Sequence, residues 1–185
     1  NHRIQHLNAD GSVITVWGSF ADSAAGSAPG GTFNEPWDVA VAPDGSVFVA
    51  DTWNHRVQKF TADGQFVQMW GFFGQAETPD ALWGPRAIVV DGAGRVFVTD
   101  TGNKRVVIFD ENGNPLGQFG SAGLGPGQFD EPVGIALGPD GRLFVADTWN
   151  QRMQVMNPSL LLDHALDPAK QWDINAWFGN SLDNK

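Results

Sequence analysis

The chain has no cysteine and no tyrosine in its 185 residues. Without cysteine there are no disulfide staples, and the redox compartment is left open. No run approaches the ~18 consecutive apolar residues that a membrane-spanning helix needs. Positive charge is scarce: 11 lysines and arginines stand against 21 aspartates and glutamates, a formal charge of −10. Phosphate neutralisation is the main source of nucleic-acid affinity, so this balance argues against a nucleic-acid partner. A charged leader followed by an apolar segment is also missing at the N-terminus. The chain opens in the middle of a repeated unit, however, and the expectation is that its true beginning lies upstream. No Gly-x-Ser-x-Gly nucleophile motif occurs, and the numerous carboxylates mostly fall in turn positions, where spacing alone picks out no acid–base pair.

Glycine and proline are abundant, at 23 and 11 residues. That composition suits many short strands joined by tight turns. The length is enough for one domain with a real core. One unit organises it. Val47 to Phe60 (VFVADTWNHRVQKF) returns as Val96 to Phe109 (VFVTDTGNKRVVIF) and as Leu143 to Met156 (LFVADTWNQRMQVM). The opening Asn1 to Leu7 (NHRIQHL) is the second half of the same unit. Aligned on asparagine, the copies fall at Asn1, Asn54, Asn103 and Asn150, at spacings of 53, 49 and 47 residues. A period of this size marks a tandem array.

Each complete copy divides into four apolar runs separated by turn signals. In the first, Pro43-Asp44-Gly45 and Ala62-Asp63-Gly64 punctuate β-branched and aromatic stretches, and Asp-Gly between such runs is a strong hairpin signal. Four antiparallel strands per repeat is the blade of a β-propeller. The expected fold is therefore all-β: a single partial propeller over residues 1–185, about three and a half blades long. Its parts are the third and fourth strands of one blade (1–20), then blades at 37–71, 86–120 and 133–179. Asn157-Pro158 begins an insertion (157–171) that predicts a short helix near 158–166, with a last strand within 172–178. An open arc exposes strand edges, so the expectation is that further blades, or self-association, close the ring.

The combined signature Asp-Thr-x-Asn-x-Arg, with Phe-Val-Ala/Thr before it and an apolar strand after it, resembles the NHL-repeat family. Phe33-Asn34-Glu35-Pro36 and Phe129-Asp130-Glu131-Pro132 support the resemblance. The middle copy departs, with Gly84-Pro85 there and Lys104 in the histidine place. The resemblance covers about nine-tenths of the chain. It implies a propeller usually of six blades, and it says little about function, because propellers are reused for unrelated tasks. It also implies an extracytoplasmic or cell-surface prokaryotic setting.

The recurring Asp51, Asn54 and Arg56, with Asp100, Asn103 and Arg105 and with Asp147, Asn150 and Arg152, are read as repeat framework. Calcium ligation is the alternative, but short polar side chains at a tight connection more simply satisfy backbone groups. The arginines are expected to bond carbonyls or an aspartate of a neighbouring blade. His2, His6, His55 and His164 form no zinc-binding spacing, and they match no motif of the metal-dependent lyase that the family includes. Gly123-x-Gly125-x-Gly127 lacks the following helix of a phosphate loop. No cofactor or metal is therefore assigned.

Tryptophan is the informative class. Trp17, Trp70 and Trp177 end outer strands and read as fillers between blades. Trp53 and Trp149 lie between the second and third strands, where the middle copy has Gly102. Trp37 and Arg86 stand at the entrance to the innermost strand, as does Val133. Aromatics bring large contact area at low entropic cost, so Trp37, Trp53, Arg86 and Trp149 are the candidate contact residues. The expected function is a non-catalytic binding or scaffolding module that presents this face and its long loops to a protein or glycan. The alternative is a metal-dependent lyase or lactonase-type enzyme with a central-channel site, so the question of catalysis is left open.

Overall fold

In the computed structural model, residues 1–76 and 78–158 are described. The chain begins with a two-stranded antiparallel sheet, β1 (Ile4–Leu7) and β2 (Val13–Trp17). A four-stranded sheet follows in the order β3 (Pro36–Val41), β4 (Val47–Asp51), β5 (Arg56–Phe60) and β6 (Phe66–Trp70). After the short parallel pair β7 (Phe72–Phe73) and β8 (Ala81–Leu82) comes a second such sheet. It comprises β9 (Pro85–Val90), β10 (Val96–Asp100), β11 (Arg105–Phe109) and β12 (Pro115–Phe119). A second parallel pair, β13 (Ser121–Ala122) and β14 (Gln128–Phe129), leads to β15 (Pro132–Leu137), β16 (Leu143–Asp147) and β17 (Arg152–Met156). Within each of the larger sheets every neighbouring pair is antiparallel. The helix expected near 158–166 and the strand expected within 172–178 fall almost wholly beyond residue 158, outside the described residues.

Turn chemistry explains why the strands stop where they do. Asp44 accepts the Ser46 N–H at 2.9 Å while Gly45 takes φ 87°. Asp110 accepts the N–H groups of Asn112 and Asn114, both at 2.8 Å, while Gly113 takes φ 80°. These side chains mimic a backbone turn, and glycine supplies the left-handed step at no steric cost.

The core lies between successive sheets. β4 is buried along its whole length because a neighbour covers each face. Val47 and Val49 pack with Phe33 and Phe60 against Ile4 and Trp17 of the preceding sheet. Phe48 and Ala50 point the other way, to Ile88, Val96, Val98, Val107 and Phe109. β10 repeats the division, with Phe97 facing Leu143, Val145 and Met156. The period of two thus shares one strand between two cores, so the sequence shows a continuous apolar run. Each wholly buried phenylalanine, such as Phe48, Phe97 or Phe109, contributes about 1.5–3 kcal/mol.

The first strands stand side by side: β3 touches β9, and β9 touches β15. Asp38 of β3 accepts the Ile88 N–H of β9 at 2.9 Å. Last strands are wedged apart by indoles. Trp17 lies 5.9 Å from Phe60, and Trp70 lies 5.8 Å from Phe109, ring to ring. The architecture is an all-β, incomplete propeller of antiparallel blades whose inner strands adjoin and whose outer gaps are filled by tryptophan.

Candidate functional site

The site is built from the connection between the second and third strand of each blade. Asp51 is fully buried and accepts four N–H groups: Asn34 backbone at 2.7 Å, Asn54 Nδ2 at 2.9 Å, Arg56 Nε at 2.7 Å and Gln58 Nε2 at 2.9 Å. Arg56 then reaches the carbonyls of Ala28, Pro29 and Thr32. Asn54 joins the same segment through the Ser23 N–H and the Ala21 carbonyl. One carboxylate therefore ties the long loop before a blade to that blade. The arginine's ionic partner belongs to its own blade and not to a neighbouring one, because β4 and β5 register Asp51 opposite Arg56.

Asp147 repeats this set with Asp130 N–H, Asn150, Arg152 and Gln154. Asp100 takes the Trp83 N–H, Asn103 and Arg105. Val107 occupies the place of Gln58 there, so one donor is missing. Burial pushes both carboxyls up. At Asp147 the donors outweigh it and hold the group below the ordinary carboxylate value, whereas at Asp100 burial wins and the group is raised.

The residue after each asparagine adopts a left-handed conformation: His2, His55, Lys104 and Gln151, with φ between 49° and 57°. For His2, His55 and Lys104 that turn aims the side chain at the next blade. His2 Nδ1 accepts the Glu35 N–H at 3.0 Å, and His55 Nδ1 accepts the Gly84 N–H at 3.1 Å. Each imidazole also packs on a phenylalanine, Phe20 or Phe73, at 4.8 Å. Lys104 makes the third link by ion pairs to Asp130 at 3.0 Å and to Glu131. Its partial burial opposes the charge, but the two carboxylates prevail and raise its pKa. Thr52 and Thr101 add hydroxyl bonds to the Pro85 and Pro132 carbonyls at 2.7 and 2.6 Å.

These links assemble one face, where the entrances to the first strands meet the turns after the second. Arg86 lies over the Trp37 ring at 4.7 Å and pairs with Glu131 at 3.2 Å. Lys104 shares Glu131 and lies over the Trp149 ring at 5.6 Å. Trp37, Arg86 and Trp149 are thus joined through Glu131 and Lys104. Trp53 sits apart from that chain and donates Nε1 to Glu35 at 3.0 Å. Val133, at the matching entrance in β15, enters none of these contacts.

Trp83 is the residue that sequence reasoning missed. The backbone N–H of Trp53 bonds the Asn34 carbonyl, and that of Trp149 bonds the Asp130 carbonyl; in the middle blade the Gly102 N–H bonds the Trp83 carbonyl. A Cβ on Gly102 would lie 2.5 Å from the Trp83 ring. The middle blade therefore has its indole on the other side of the same contact. The available signal was the pairing Asn34/Trp53, Asp130/Trp149 and Trp83/Gly102, visible only once those positions are known to touch. A hollow of about 680 Å³ adjoins His55 and is lined by Ser23, Asn54, Met69 and Phe73 among others. No group of three or more His, Cys, Asp or Glu residues placed to hold a metal occurs among the described residues.

Radial four-stranded blades stitched by Asp, Asn and Arg define a repeat propeller. The NHL repeat model matches residues 33–60, 82–109 and 129–156, so the chain carries three NHL repeats on a β-propeller fold. Among solved structures it is similar to a streptogramin B lyase, at 16% identity and TM-score 0.58, over 85% of this chain and 45% of that one. It is also similar to inactive H270A virginiamycin B lyase from Staphylococcus aureus with quinupristin, at 17% identity and TM-score 0.53, over 84% and 48%. A chain of the nidogen/laminin complex matches at 21% identity and TM-score 0.51, over 69% and 46%. At these identities the likeness is one of fold, and the chain spans less than half the length of each. No match is found among curated proteins.

Proposed function

We propose that the chain is a non-catalytic binding or scaffolding module that engages a protein or glycan through its tryptophan-bearing face. One observation carries the reading: four indoles on that face stay exposed, Trp37 at 50%, Trp53 at 40%, Trp83 at 38% and Trp149 at 69%, although the surrounding polar groups are ordered by hydrogen bonds and ion pairs. Exposed aromatics on a stiff frame bring contact area without a large entropic cost on association. The NHL repeats supply the frame, and the neighbour in the nidogen/laminin complex is a propeller-like chain found in a protein assembly.

The test uses the whole chain on immobilised protein and glycan arrays, beside the combined Trp37→Ala, Trp53→Ala and Trp149→Ala variant. The expected result is loss of the array signals with an unchanged unfolding midpoint. Signals that survive the triple substitution reject this face.

A further inference from the structure

Resting on the binding reading above, we infer that the ligand of this face is a neutral carbohydrate and that Trp83 is one of its contacts. Charge is the first restriction on the ligand. Arg86 is paired with Glu131, and Lys104 with Glu131 and Asp130. These four side chains cancel to zero in a chain whose total is −10. Glu35 accepts the Trp53 indole N–H, and the nearby Glu35 and Gly84 N–H groups are occupied by histidine. A charged ligand would have to break these pairs and leave a partly buried ion without its partner, a large cost. A cation is disfavoured further, because Trp37 and Trp149 each already carry one over a ring face.

The second element is the layout of apolar surface. Trp37 and Trp149 do not merge into one patch, because Arg86, Glu131 and Lys104 lie between them. A flat apolar protein surface would bury those ions. A pyranose chain fits the alternation, since each sugar offers a C–H face to stack on an indole and a rim of hydroxyls to meet carboxylate and guanidinium edges. The third element is the placement of Trp83. It restores an indole to the blade that lacks one at residue 102, so each of the three larger sheets carries one at this contact. One aromatic platform per blade matches a ligand that repeats along its length.

Affinity electrophoresis of the whole chain through gels holding neutral glucan, mannan or galactan tests this, with polygalacturonate, dextran sulfate and polylysine as charged comparisons. Retardation by at least one neutral polymer is expected, little changed by salt. Trp83→Asn should weaken it by 10-fold or more, and Trp83→Asn with Gly102→Trp, which moves the indole to the other side of the contact as in the first complete blade, should recover most of it. The urea midpoint separates a contact role from a packing role: Trp83→Asn is expected to lose binding with its midpoint unchanged, and binding lost only in step with stability overturns the assignment of Trp83 as a contact. Retardation by charged polymers alone, or neutral binding that Trp83→Asn leaves intact, overturns the inference. Loss of protein-array signals in the triple tryptophan variant without any neutral retardation also overturns it, yet leaves the binding face standing. Array signals untouched by that variant remove both.

Discussion

Gly113 and Gly94 belong to the same blade and have nearly the same backbone, at φ 80° and 78°. A Cβ on Gly94 would meet nothing within 4 Å, whereas one on Gly113 would lie 2.6 Å from Trp70 of the preceding blade. Alanine at either position incurs the left-handed penalty of about 1–2 kcal/mol, partly offset by about 0.4–1 kcal/mol from a less flexible unfolded chain. Only Gly113→Ala also overpacks the space between blades, an added ~1–3 kcal/mol. The Trp70 atoms in the way are Cγ, Cδ2 and Cε3, the body of the ring, with no flexible tip to swing aside. Urea unfolding of both variants should therefore separate them by about 1–3 kcal/mol. Adding Trp70→Leu completes a cycle in which the excess at Gly113 shrinks while the effect at Gly94 stays put. Equal losses for the two glycines, or an excess indifferent to Trp70, would refute the claim that indole packing sets the spacing of the blades.

Two further predictions concern the links. Asp51→Ala strands a guanidinium whose side chain is 6% exposed and leaves the Asn34 N–H without its acceptor, so a loss of about 3–5 kcal/mol is expected. Asp147→Ala should cost less, since Arg152 is 32% exposed; calorimetric melting that ranks them in reverse contradicts this. His55 accepts the Gly84 N–H only while Nδ1 is unprotonated, and burial holds its pKa below the ordinary 6.5 against the pull of Asp22 and Asp51. The unfolded chain then takes up the proton first, so stability that is full above pH 6.5 is lost as pH falls below that value. His55→Asn keeps an acceptor and tolerates the left-handed turn, and its melting temperature between about pH 8 and pH 5 should be flatter than that of the parent. An unchanged slope would count against the link.

Strands, turns and blade order were legible because each rests on local chemistry: Asp-Gly turns, apolar runs and a fixed recurrence of Asp, Asn and Arg. Even the buried state of Asp51 follows from its place opposite Arg56 once the hairpin is drawn. The small parallel pairs Phe72–Phe73 with Ala81–Leu82, and Ser121–Ala122 with Gln128–Phe129, were not legible. Pairs of two residues have too short a pattern to stand out from a loop. Of the candidate contacts, Trp37, Arg86 and Trp149 are brought into one connected set, while Trp53 lies outside it. The connectors Glu131 and Lys104 were hidden, because each looks like an ordinary surface charge until the preceding and following blades are set side by side.

The middle of the chain shows why single positions mislead in a repeat. At two interfaces a histidine packs on a phenylalanine, His2 on Phe20 and His55 on Phe73. At the third, Lys104 stands in the histidine place, and its partners are the carboxylates of Asp130 and Glu131. The parallel pair there puts Ala122 beside Phe129, where the second interface has Phe73 beside Leu82. A stacked pair has thus been exchanged for an ionic one, and both sides of the contact change together. The same holds for Trp83 with Gly102. Read along the sequence, Lys104 and Gly102 are departures from the repeat; read across the contact, each is one half of a complementary exchange. The unit that keeps its character is the junction between blades, and an indole-bearing face can therefore persist although no one position supplies its tryptophans.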